Sequence, residues 1–117
     1  MTYNEFYKSI AGDGIPKNLS PYLQSLWYDA KGNWNKAHEI IQDVESKDAA
    51  WIHAYLHREE GDISNADYWY RKAEKERPQN SLEEEWEMLV KVFEGIFSTS
   101  KAFENALYVR LCCSVMA

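Results

Sequence analysis

The chain has 117 residues, 45% of them hydrophobic and 15% aromatic, and a formal net charge of −6. That length suits one domain, and the apolar content suffices for a packed core, which excludes a disordered chain. The acidic balance argues against nucleic acid or an anionic membrane as a partner, because phosphates would be repelled.

Tyr3 to Ile10 is predicted to form a short helix with Phe6, Tyr7 and Ile10 as its apolar contacts, broken by Gly12-Asp13-Gly14-Ile15-Pro16. Ser20 followed by Pro21 is a helix start, and Leu23, Leu26, Trp27 and Ala30 recur at helical spacing behind it. Gly32 stops that helix and Asn33 caps the next, whose stripe is Ala37, Ile40, Ile41 and Val44. A further helix is expected from about Asp48 to Glu60. Gly61 breaks it, Asp62 caps its successor, and Ile63, Ala66, Tyr70 and Ala73 follow before Pro78. Ser81 and Glu84 make a capping-box pattern ahead of Leu82, Trp86, Leu89, Phe93, Ile96 and Phe97. After Ser98-Thr99-Ser100, the spacing of Phe103, Leu107, Leu111 and Val115 predicts a last amphipathic helix. No strand pattern is evident.

Two segments repeat one another. Gly32, Asn33 and Ala37 have the same spacing as Gly61, Asp62 and Ala66, 29 residues later. Glycine permits a tight turn, the Asn or Asp caps the next helix, and alanine allows close helix approach. With Ala54, Ala66, Tyr70, Ala73 and Pro78 over about Ser46 to Gln79, this pattern resembles the tetratricopeptide repeat. Ala50 stands at that family's Trp position, with Trp51 one residue later, and His53 and His57 replace an apolar residue and a Tyr. The first copy, about Asn18 to Lys47, keeps Tyr28, Ala37 and Ile41 but is shorter than the family period. The wording around Leu26–Gly32, Ala37–Glu39 and His53–Arg58 also looks like a small bacterial protein group, a likeness that implies no reaction.

The expected fold is therefore all-α: antiparallel helical hairpins stacked as a short tetratricopeptide-like right-handed array of about six to seven helices. One domain is expected over residues 1–117, with an N-terminal arm over 1–17, two helix pairs over 18–79 and a C-terminal helical pair over 80–117. The adjacent Cys112 and Cys113 form no disulfide framework, and Met1 to Glu5 resembles no signal peptide. With no apolar run of membrane-spanning length, a cytoplasmic location is expected.

The resemblance implies a protein or peptide partner, held in a groove lined by Tyr22, Leu26 and Asp29 from the first copy and Trp51, Tyr55 and Arg58 from the second, with Glu59 a further candidate. Aromatics and arginine are effective there because they bury much surface and keep polar handles. The expected function is a non-enzymatic adaptor or scaffold needing no cofactor. A second reading rests on His53-x3-His57, whose spacing puts both rings on one helix face. Either these rings are buried and satisfied by carboxylates such as Glu39 or Asp67, or with His38 or Glu39 they form a metal-binding or acid/base site. Glu83-Glu84-Glu85 suits the positive end of a helix and asks for no ligand. Arg71, Lys72, Lys75 and Arg77, interrupted by Glu74 and Glu76, read as a solvated face. Tyr68 and Trp69, if exposed, would mark a second contact surface or a homodimer face, and the final helix offers another route to self-association.

Overall fold

The computed structural model describes residues 1–97. They form six helices and no strand: α1 (Tyr3–Ser9), α2 (Pro21–Ala30), α3 (Trp34–Gln42), α4 (Lys47–Glu59), α5 (Ile63–Lys72) and α6 (Leu82–Phe97). The helix expected over Phe103–Val115 and the two cysteines lie outside the described residues. No helix among the described residues is long and apolar enough to cross a membrane.

Local chemistry sets the boundaries. Thr2 and Glu5 make a reciprocal capping box on α1, with the Glu5 amide donating to Thr2 Oγ1 at 3.1 Å and the Thr2 amide to Glu5 Oε1 at 2.7 Å. Ser20, Asn33, Ser46 and Asp62 cap α2, α3, α4 and α5 through side-chain oxygens that accept a backbone N–H three residues on. Ser81 and Glu84 form the second box, at 3.1 and 2.9 Å. The repeat is visible in the turns. Gly32 (φ +85°) and Gly61 (φ +90°) hold the left-handed conformation. The next residue reaches back five positions, Asn33 to the Tyr28 carbonyl at 2.9 Å and Asp62 to the His57 carbonyl at 3.0 Å. The end of α5 repeats this geometry without glycine: Glu74 sits at φ +60° while the Lys75 amide donates to the Tyr70 carbonyl at 2.9 Å.

Packing centres on α4. Every residue from Ala49 to His57 is buried, so this helix presents all its faces to the protein. It packs most extensively on α5, and α2 packs on α3. Helix α6 then lies against both α2 and α4, burying Leu89, Val90 and Phe93, with Trp86 Nε1 donating to the Leu26 carbonyl at 3.0 Å. The arm closes over α6. Phe6 is fully buried and its ring lies 6.1 Å from that of Trp86. Trp27 Nε1 donates to Ser9 Oγ at 3.1 Å, and Lys31 Nζ donates to the carbonyls of Ile10 and Gly12 at 2.8 and 3.1 Å. Tyr7, expected as an apolar contact, stays 59% exposed because it sits at the outer edge of Trp86, with ring centroids 6.4 Å apart.

Candidate functional site

Three faces of α4 carry three different chemistries. The first belongs to Trp51 and Arg58, both expected in a partner-binding groove. They are instead tied to Glu85, which α6 carries into the core with no exposed surface. Arg58 Nη1 donates to Glu85 Oε1 at 2.7 Å, the Tyr70 hydroxyl to the carboxylate at 2.7 Å, and Trp51 Nε1 to Oε2 at 3.2 Å. Arg58 Nη2 also donates to the Asn80 carbonyl. Burial, and then the charge of Glu85, push the Tyr70 hydroxyl well above the usual range, so it remains a donor. This is a structural network. Leu26 is likewise fully buried, and Tyr22 is half-buried, its ring stacked on Phe93 at 4.8 Å and its hydroxyl 3.0 Å from Ser46 Oγ.

The second face carries the histidines. His38 of α3 and His53 of α4 bring their Nε2 atoms to 3.0 Å, and the ligand nitrogens of His38, His53 and His57 all lie within 4.8 Å of one another. Trp34 stacks on His38 at 4.9 Å and 12°, and Trp69 stacks on His53 at 3.9 Å and 16°. Trp34 is itself fixed by its Nε1 donating to the Leu56 carbonyl at 2.8 Å. Burial pushes His53 down to about 4, with the neighbouring rings of His38 and His57 adding to the effect, so its ring is neutral near pH 7. Burial lowers His38 in the same direction. The carboxylates expected to satisfy these rings are engaged elsewhere, Glu39 with Lys36 at 3.4 Å and Asp67 with Arg77 at 2.8 Å. Glu60 takes that role for His57, at 2.7 Å from Nδ1. Trp69 is half-buried against His53, which leaves Tyr68 as the exposed member of the aromatic pair proposed for self-association.

The third face opens on a cleft of about 880 Å³ between α1, the C-terminal ends of α2 and α4, and the start of α6. Tyr3, Tyr7 and Trp86 form its aromatic side. Asp29, Tyr55, Glu59, Glu83 and Glu87 form its polar side, and no basic residue is among the described residues lining it. Asp29 is 7% exposed and lines the cleft together with Tyr55 and Glu59. Loss of water around the facing carboxyl ends, followed by their contact with each other, raises Glu59 above the ordinary carboxylate range; desolvation raises Asp29 as well. The pair therefore holds a proton longer than isolated carboxylates would.

Of the six expected groove residues, Asp29 and Tyr55 line this cleft, while Leu26, Trp51, Tyr22 and Arg58 serve the core. Glu85 and the α1 aromatics are the participants that sequence reasoning left out, whereas Glu59, a groove candidate, lines the cleft. The chain matches no protein-family model, and neither a curated protein nor a solved structure shows significant similarity to it.

Proposed function

We propose that this chain is a protein-interaction module that grips a basic side chain of its partner in the cleft between α1, α2, α4 and α6, on a scaffold of tetratricopeptide-like antiparallel hairpins. The observation that carries this reading is that the carboxyls of Asp29 and Glu59 line one cleft with the rings of Tyr3, Tyr7 and Trp86. A cation entering there meets the charge left on the carboxyl wall and the π faces of Tyr7 and Trp86, while Lys91 Nζ already lies 5.1 Å from the Tyr3 ring. The helix ends add to the field. Asp29 and Ala30 close α2 and Glu59 closes α4, so two C-terminal dipole ends point partial negative charge at the same space. The start of α6 brings a positive end, which Glu83 in its first turn offsets, while Glu87 pairs with Lys91 at 2.7 Å. A volume of about 880 Å³ accommodates a lysine or arginine side chain with its flanking residues.

The scaffold part of the proposal rests on the paired packing of α2 with α3 and α4 with α5, and on the two matching turns at Gly32 and Gly61. It differs from an open repeat array in one respect. Helix α6 covers α2 and α4, the helices that would line an open groove, and leaves binding to the cleft at their ends.

Peptides bearing lysine or arginine, paired with acetyl-lysine or citrulline versions, test this. Calorimetry on the full chain should show binding that needs the positive charge and weakens at least tenfold in Tyr7→Ala and in Glu59→Lys, which puts a like charge in the cleft, both at exposed positions. Equal binding of charged and neutralised peptides, or full affinity in both variants, would refute it. Substitutions at Trp51 or Arg58 would report on folding instead, because both belong to the Glu85 network.

A further inference from the structure

We infer that His38, His53 and His57 form a binding site for a divalent transition metal ion, zinc in the first instance, on the face of α4 turned away from the cleft. Three observations carry it. First, the three imidazoles come from two helices and pack against one another, with one ligand atom from each within 4.8 Å of the others. A tetrahedral zinc ion with bonds of about 2.0–2.1 Å separates its nitrogen ligands by roughly 3.3 Å, a spacing this cluster reaches with small side-chain adjustments. Second, the carboxylates that would satisfy the rings in a plain packing arrangement, Glu39 and Asp67, are held by Lys36 and Arg77, so His38 and His53 turn toward each other. Third, the rings are already oriented. Trp34 stacks on His38 and Trp69 on His53, and Glu60 Oε2 lies 2.7 Å from His57 Nδ1.

That last contact is the arrangement by which metal-binding histidines are aimed. A carboxylate takes the proton of one ring nitrogen and leaves the lone pair of the other directed at the ion. His57 Nε2 has Asn65 Nδ2 at 3.4 Å, a long contact that a metal bond would replace. Neutral imidazoles suit zinc, copper and nickel, and three of them leave a fourth position for water. His53 and His57 are each 6% exposed and His38 is half-buried, so the approach to the ion is from the His38 side.

The full-length chain, freed of any affinity tag and treated with chelator, should be titrated with zinc by calorimetry and with cobalt by visible absorption. One zinc per chain is expected, together with the d–d bands of a tetrahedral cobalt site. His38→Ala, at a half-buried position, should weaken zinc at least a hundredfold. Glu60→Gln, at an exposed position that leaves the ligands intact, should weaken it at least tenfold. A Cys112→Ser/Cys113→Ser variant should bind as the wild type does. The proposal is overturned if the cobalt bands are absent, if zinc binds the His38→Ala and Glu60→Gln variants undiminished, or if binding disappears with the cysteines.

Discussion

Replacing Glu85 by alanine should be among the most damaging single changes in the molecule, and its cost can be worked from the contacts. The carboxylate is fully buried and accepts from Arg58, Tyr70 and Trp51. Removing one partner of a buried ion pair costs about 3–5 kcal/mol, because the other charge is stranded. Arg58 remains 14% exposed and keeps the Asn80 carbonyl, which places its share at the low end. The Tyr70 hydroxyl and the Trp51 N–H lose their acceptor inside the core, at about 1–3 kcal/mol each if neither finds another. A net loss of about 5 kcal/mol is expected from the low end of each contribution, a large part of the 5–15 kcal/mol typical of a domain. Glu85→Gln keeps an acceptor oxygen but not the charge, and should lose roughly half as much. Urea unfolding of the wild type, both variants and the Arg58→Ala/Glu85→Ala double variant measures this. The double variant should be less damaged than the two single losses combined, by about 1–3 kcal/mol. A loss under about 1.5 kcal/mol for Glu85→Ala, or strict additivity in the double variant, would refute the network.

Glu74 holds a left-handed conformation that its Cβ opposes, and its ion pair with Lys47 is exposed, so Glu74→Gly should raise stability by about 0.5–1 kcal/mol in thermal unfolding. Asp29 keeps its proton to higher pH when folded than the 3.8 of an unperturbed Asp. The folded state then binds more protons between those two values, and stability falls as pH rises through that window. Asp29→Asn should therefore gain on the wild type as pH increases, which urea midpoints at several pH values would reveal; a constant difference would contradict the assignment. Lys31→Ala removes the two bonds that hold the arm at Ile10 and Gly12, and should speed amide exchange in α1 while leaving α4 protected.

Much of the fold was legible because the helix ends are written in capping residues. Ser20-Pro21, Asn33, Asp62 and the Ser81–Glu84 box place starts, and Gly32 and Gly61 place stops, through contacts no longer than a turn. The site was less legible because it depends on where α6 lies. A groove on α2 and α4 follows from the repeat pattern alone. Once α6 packs across both helices, Leu26 and Trp51 become core and Arg58 becomes the partner of a buried carboxylate. Glu85 was hidden by its neighbours, since three successive glutamates read as dipole complement. Its phase held the clue, because Glu85 stands one turn before Leu89 on the inward stripe. The Asp29–Glu59 pair joins residues 30 positions apart, beyond any local rule. The convergence of His38 on His53 and His57 was half visible. The spacing on α4 put two rings on one face, but which groups would satisfy them depended on Lys36 and Arg77 claiming Glu39 and Asp67.

The cleft reading is tested most directly by nuclear magnetic resonance of the isotope-labelled full chain, titrated with a short lysine-containing peptide and with its acetylated twin. The account predicts that the charged peptide shifts amides at Tyr7, Asp29, Ala30, Glu59, Glu83 and Glu87, the cleft positions, and that the acetylated peptide does not. Shifts confined to α3 and α5, or identical shifts with both peptides, would contradict it.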